Sequence, residues 1–323
     1  MSGEGLKDTK VLFMGTPDFA VPSLSALIEA GFDLVGVVTR PERAKGRGRK
    51  AAPTPVKMRA LKSSIRVLEP ERPDDAFVEE LNALSLDLIV VVAYGKILPK
   101  AVLEAPRLGA VNLHASLLPA YRGAGPINRA IMNGDRVTGT TTMFMDEGMD
   151  TGDILLTSSL EIGGQETAGE LSERMAKDGA LLLVETLRRL VKGEIKAVPQ
   201  DNSKASYAPM LKKADGRVDW NLTPQEIDNR RRGLSPWPGA FTTLRGKTLK
   251  LHRGRVAQGA APSRGPDYCP VPGIITDVSG EGIRVGCKGG EYVIEELQLE
   301  GKRRMTAKEF LMGFKLVRGE SLG

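Results

Sequence analysis

The run LDLIVVVAYG, residues 86–95, decides the fold class. A strand with one wet face alternates polar and apolar residues. A near-continuous apolar run ended by a turn residue fits a central strand covered on both faces. The neighbours on either side support this. DDAFVEELNAL (74–84) has helical spacing, and GAVNLHA (109–115) is another short β-rich run. Working back, KVLFMG (10–15), FDLVGVVT (32–39) and SIRVLEP (64–70) read as strands, and DFAVPSLSALIEAG (18–31) as a helix with a terminal glycine. Strands alternating with helices predict an α/β fold, a mostly parallel sheet with crossover helices on both faces. Working forward, TGTTTMFM (138–145) and DILLTSSLEI (153–162) are strand-like around a tight acidic turn. TAGELSERMAKDGALLLVETLRRLVKGE (167–194) is a long amphipathic helix, with Thr167 as N-cap and Glu170 at the capping-box position.

The pattern then changes. Polar AVPQDNSKASYAPMLKKADG (197–216) reads as a linker, which divides the chain into domains 1–196 and 217–323. Beyond it, LTPQEIDNRRRG (222–233) has helix signals. Short β-like runs between Gly/Pro turns follow, a spacing that suits a small barrel. GAAPSRGPDYCPVPG (259–273) reads as an exposed loop.

The 323 residues are 41% apolar and 27% charged, as in a globular protein with an ample core. No apolar run approaches the roughly 18 residues of a membrane span. The first ten residues, MSGEGLKDTK, show neither a signal-peptide apolar stretch nor transit-peptide character. Cys269 and Cys287 have no CxxC spacing, so neither a disulfide framework nor a zinc site is expected, and a cytoplasmic location fits. The net charge of +6 is uneven. After Tyr207 there are 20 Lys and Arg against 13 Asp and Glu, and RPERAKGRGRK (40–50) alone holds six positive charges and one negative. Two readings stand: a solubilising surface, or two basic surfaces for a polyanion. Loop 40–50 is too apolar-poor to fold alone. It is either a plain surface loop or an arm that orders on nucleic acid through Arg43, Lys45, Arg47 and Arg49.

Several motifs fail their tests. MGTPDFA follows the first strand, but no GxGxxG and no GxxxxGK[ST] exists. MDEGMDTGD (145–153) lacks calcium-loop spacing; its glycines 148 and 152 would let backbone approach a ligand around Asp150. One constellation carries chemistry. Asn112 and His114 are two apart on a strand and share a face, and the loop bearing Asp150 can fold over that strand end. Amide, imidazole and carboxylate suit acyl transfer without a covalent intermediate, since the first two can stabilise an oxyanion. The competing reading is a satisfied structural histidine. His252, in LKLHRGR, reads as structural or RNA-facing.

NLHASLLPAYRGAGPINRAI (112–131) followed by MDEGMDTGDIL (145–155) resembles the signature of the folate-dependent formyltransferases. VLFMGTPDFAVPSL (11–24), VVTRPERAKGRGRK (37–50), VVAYGKILP (91–99) and SPWPGAFT (235–242) are similar to the branch of that family acting on methionyl initiator tRNA. The resemblance covers roughly residues 10–315. It implies a Rossmann-like first domain without the dinucleotide fingerprint and an OB-like, tRNA-binding barrel. The activity implied is formyl transfer from 10-formyltetrahydrofolate to the α-amine of the tRNA-bound methionine. It also implies no metal, no membrane and a monomer. Asn112, His114 and Asp150 fall on the family's catalytic positions, and Ser116, Leu117, Leu118 and Pro119 on its folate-binding segment. Tyr94, Ile97 and Leu98 would wall the pterin pocket. Arg40, Arg43, Lys45, Arg47, Arg49 and Lys50 lie on the segment that meets the acceptor end of the tRNA. Rivals are a formyltransferase for an amino sugar nucleotide, a non-catalytic folate- or RNA-binding module, and a hydrolase releasing formate from the same folate.

Overall fold

In the computed structural model, which describes residues 4–42, 52–258 and 269–323, the run at 86–95 forms the middle strand of a seven-stranded sheet. The strands are β1 (Lys10–Gly15), β2 (Asp33–Val38), β3 (Val67–Leu68), β4 (Leu88–Val92), β5 (Ala110–His114), β6 (Val137–Phe144) and β7 (Ile154–Glu161). Their order is β3-β2-β1-β4-β5-β6-β7. β1 to β5 run parallel, and β6 and β7 are antiparallel additions at one edge.

The strand pleat explains the uninterrupted apolar run. Leu88, Val90 and Val92 pack into one core with Val11, Phe13, Val111 and Leu113. Ile89 and Val91 pack into another with Leu12, Met14 and Ala110. Leu24, Leu27, Val56, Ala60, Leu183 and Leu187, from the helices Val21–Glu29, Pro55–Leu61 and Ala168–Val191, complete the first core. Phe77, Leu81, Val102 and Leu103, from Asp75–Leu84 and Lys100–Glu104, complete the second. Each fully buried large aliphatic or Phe side chain contributes about 1.5–3 kcal/mol.

The chain winds outward from β1 to β3, then returns to the other side of β1 as β4. That reversal places the topological switch between β1 and β4, where open α/β sheets carry ligands outside their strand ends. Arg40, Tyr94 and His114 all lie at the carboxyl ends of parallel strands, on this one edge.

The second sheet is antiparallel. It comprises β8 (Ala240–Leu244), β9 (Lys247–Val256), β10 (Ile275–Ser279), β11 (Gly282–Cys287), β12 (Gly290–Leu299) and β13 (Met305–Thr306), in the order β10-β11-β12-β9-β8 with β13 on β12. Ser321 bridges Ile274 and Leu322 bridges Leu244, so residues near the C-terminus join the two edge strands and close the sheet on itself. Its core holds Trp220, Leu251, Tyr292, Ile294 and Phe310.

The chain divides into two compact units. The first takes the chain to Pro126, Val137–Glu161 and Ser172–Ala208; the second takes Ile127–Arg136, Ile162–Leu171 and the chain from Pro209. These units divide the chain differently from the expected domains 1–196 and 217–323 with a linker at 197–216. Residues 198–208 are tied into the first unit by the Val198–Ile154 and Tyr207–Arg122 bridges and by Arg122 N–H donating to the Ser206 carbonyl at 2.8 Å. Ile127–Arg136 belongs to the second unit because Asn128 Nδ2 donates to the Gly233 carbonyl and Met132 packs with Leu211 and Leu234. Among the described residues no helix is long and apolar enough to cross a membrane.

Candidate active site

β5 ends in the first unit with Asn112 and His114 facing one side of the sheet. Leu113 faces the other, where Gly179 of the long helix leaves room for its methyl groups. Asn112 is paired in register between Val91 of β4 and Met143 of β6, and both it and His114 are buried.

His114 is held from two directions. Its Nε2 donates to the Tyr121 carbonyl at 3.0 Å, and its Nδ1 lies 3.6 Å from Asp150 Oδ2. The second distance is an ion-pair approach rather than a formed hydrogen bond. Asp150 Oδ2 accepts from the Gly123 N–H at 2.7 Å. The tight loop after β5 thus supplies one backbone group to each side chain, a carbonyl to His114 and an N–H to Asp150. Tyr121 and Asp150 both have left-handed backbones, φ 61° and 54°. Non-glycine residues there cost on the order of 1–3 kcal/mol and persist only where their surroundings hold them.

The 145–153 turn is built by its own chain. Asp146 Oδ1 accepts from Gly148 N–H and Thr151 Oγ1. A Cβ on Gly152 would stand 1.9 Å from the Phe144 carbonyl oxygen, so this glycine admits a close pass of backbone on backbone. The close approach expected of the glycines is therefore made within the chain. Among the described residues no group of three or more His, Cys, Asp or Glu is placed to hold a metal ion.

Residues 116–119 follow as a fixed segment. Ser116 Oγ donates to the Ala120 carbonyl, while Thr141 Oγ1 on β6 donates to the Ser116 carbonyl and accepts from the Leu118 N–H. Leu117 packs over Gly139 of β6, Leu118 is buried, and Pro119 is half-buried. Tyr94 and Leu98 are buried in the second core and Ile97 is 86% exposed. The Tyr94 hydroxyl is buried without a partner among the described residues. Burial pushes its phenol up, with the Arg40 guanidinium pulling the other way. Arg40 lies over Gly95. Arg43, Lys45, Arg47, Arg49 and Lys50 lie outside the described residues.

Three neighbours of these residues carry no signal in the sequence. Thr141 looked like any β-branched strand residue, Arg122 like one more loop cation, and Gln200 fell in the expected linker.

Residues 9–187 match the model of the formyl transferase family, and residues 210–315 that of its C-terminal domain. The chain belongs to the formyl transferase family. Within that family it is 51% identical over 316 residues to the methionyl-tRNA formyltransferase of Geobacter metallireducens, covering 97% of this chain and 98% of the relative. It is 46% identical to the enzyme of the same name from Ruminiclostridium cellulolyticum, covering 97% and 99%. Among solved formyl transferase structures, the sugar 3N-formyl transferase WlaRD, in the presence of dTDP and 5-N-formyl-THF, superimposes with a TM-score of 0.65 at 18% identity, covering 91% of this chain and 99% of that one. HypX from Aquifex aeolicus, in complex with tetrahydrofolic acid, matches with a TM-score of 0.62 at 17% identity, over 96% of this chain and 50% of that one. At these identities the two structures bear on the fold alone.

Proposed function

We propose that this chain transfers the formyl group of 10-formyltetrahydrofolate to the α-amine of methionyl initiator tRNA, giving N-formylmethionyl-tRNA for translation initiation. The observation that carries the reading is the approach of His114, at the end of β5, to Asp150, in the turn between β6 and β7, in a chain half identical along its length to a protein named methionyl-tRNA formyltransferase.

The donor, when bound, supplies the formyl carbon. An α-amine ordinarily titrates near pH 8, and the adjoining ester lowers that, so the neutral nucleophile is accessible near neutral pH. Asn112 and His114 share a face and stabilise charge developing on the formyl oxygen. Asp150 orients the ring and accepts, through water, the proton the amine loses; that proton goes to the folate nitrogen as its bond to the formyl carbon breaks, which releases tetrahydrofolate. Ser116, Leu117, Leu118 and Pro119 border the donor. Tyr94, Ile97 and Leu98 border its pterin, and the unpartnered Tyr94 hydroxyl and exposed Ile97 fit a flat ring with polar edges. Arg40, Arg43, Lys45, Arg47, Arg49 and Lys50 engage the acceptor end of the tRNA, and residues 217–323 add a second RNA-binding surface. The enzyme works as a cytoplasmic monomer and the scheme uses no metal.

The test is formylation by the purified chain of methionyl initiator tRNA, methionyl elongator tRNA and an amino sugar nucleotide, side by side. Initiator tRNA alone should be formylated. His114→Ala and Asp150→Ala should each lose roughly 100–1,000-fold in kcat with tRNA affinity nearly unchanged. Formylation of the sugar would overturn the substrate, and near-normal turnover of either variant would remove that residue from the scheme.

A further inference from the structure

Gln200 stands where three segments of the first unit meet. Its amide nitrogen donates to the Asp150 carbonyl at 2.9 Å and to the Gly152 carbonyl at 2.7 Å. Its Oε1 accepts from Arg122 Nε at 3.1 Å and Nη2 at 2.7 Å. Arg122 is only 3% exposed, and Nη2 also donates to Asn202 Oδ1 at 2.8 Å. Among the described residues no carboxylate pairs with this guanidinium, which is held by neutral oxygens.

The backbone neighbours of Arg122 are the groups that hold the site. Tyr121 supplies the carbonyl for His114, and Gly123 the N–H for Asp150. One glutamine side chain therefore ties the loop carrying Asp150 to the loop that fixes both His114 and Asp150. The chemistry of the residue matters. A primary amide offers an acceptor to a guanidinium and two N–H groups to two carbonyls at once. A glutamate there would keep the first contact and set an oxygen against the two carbonyls. Asp150, left-handed and not glycine, is the residue whose turn needs such a restraint.

We propose that Gln200, braced by Arg122, is a positioning residue for formyl transfer, acting through Asp150 by fixing its carboxylate relative to His114. This rests on the roles given to His114 and Asp150 above. A misplacement of about 1 Å at a reacting group costs about 100-fold in rate, and that is the scale of effect expected.

The experiment is steady-state formylation of methionyl initiator tRNA by the full chain. It compares wild type, Gln200→Glu, Asp150→Asn and the double variant, with melting curves for each. Gln200→Glu should lower kcat roughly 100-fold while KM for tRNA and for the folate donor stays within about threefold. In the Asp150→Asn background the same change should cost almost nothing further, because the group it positions is gone. Gln200→Met keeps the length without the charge and is read in the same cycle if Gln200→Glu does not fold. Full kcat for the Gln200 variants beside a crippled Asp150→Asn overturns the proposal. So does a loss of the same size in both backgrounds, which marks a purely structural residue, or a rise in KM with kcat intact. A fully active Asp150→Asn instead brings down the role of Asp150 itself, and is told apart by that single variant.

Discussion

Single side chains in this protein take their properties from what surrounds them more than from their type. Cys269 is exposed and Cys287 is fully buried, with its Sγ donating to the Gly290 carbonyl. Burial pushes the Cys287 thiol up to about 12, aided by Glu291. At pH 8.5 the native protein should therefore consume one equivalent of an alkylating reagent, and two once unfolded, since only the thiolate reacts. Two fast equivalents from the folded protein would contradict the burial. The linkage has a definite sign. The unfolded thiol ionises near its ordinary value and the folded one near 12, so Cys287 contributes stability fully below pH 9 and loses it as pH rises towards 12. The same contrast divides the residues of the proposed site. His114 was readable because Asn112 and His114 share a strand face and a turn follows. Gln200 was not, because its meaning comes from groups 50 and 78 residues away.

Elements were readable where one period ran without interference. β1 begins and ends where its apolar run does, and Thr167 and Glu170 cap the long helix reciprocally as their spacing predicts. The short helices Pro55–Leu61, Lys100–Glu104 and Pro126–Asn133 gave no legible pattern, since one or two turns hold too few periods. The helix signals at 222–233 appear as helix Pro224–Gly233, which the structure shows capped by Thr223 and Glu226. Its arginines count toward the positive excess after Tyr207. Arg231 and Arg232 are buried, both donating to Asp228, which also accepts from the Tyr292 hydroxyl of β12 at 2.9 Å. Removing the shared carboxylate would leave two guanidiniums buried and unbalanced. Asp228→Ala should destabilise the fold by about 3–5 kcal/mol, the scale for breaking a buried ion pair, as read by denaturant unfolding. A cost under about 1 kcal/mol, the surface-pair range, would show that the cluster is solvated. Gly139→Ala probes a second element. An added Cβ would meet the Ser158 carbonyl at 2.1 Å and Leu117 at 2.6 Å, so β6 must move away from both β7 and the 116–119 segment. The variant should lose both stability and folate affinity, and folate binding at wild-type strength would mean that Leu117 has no part in it.

At the scale of the whole molecule, the charge distribution argues for a polyanionic partner more weakly by count than by placement. Two of the arginines counted after Tyr207 face Asp228 in the interior, so the surface of the second unit is less basic than its sequence. Much of the remaining positive charge is tied in pairs, such as Arg253 and Arg255 on Glu295 and Arg245 on Glu320. Residues 40–50 differ in composition, with six cations against one carboxylate that Lys57 already engages. Their arginines should thus dominate the salt dependence of tRNA binding. The logarithm of affinity should fall linearly with the logarithm of salt, by about 0.7–0.9 per phosphate neutralised. Replacing Arg43, Arg47 and Arg49 together by Gln should reduce that slope by about 2–3, with turnover at saturating tRNA largely kept. The measurement is equilibrium binding of initiator tRNA between low and physiological salt, wild type beside the triple variant and beside an Arg253→Gln, Arg255→Gln control. An unchanged slope for the triple variant would return residues 40–50 to the reading of a solubilising surface and move the RNA footprint to residues 217–323. A slope reduced as much in the control would spread the contact over both basic regions.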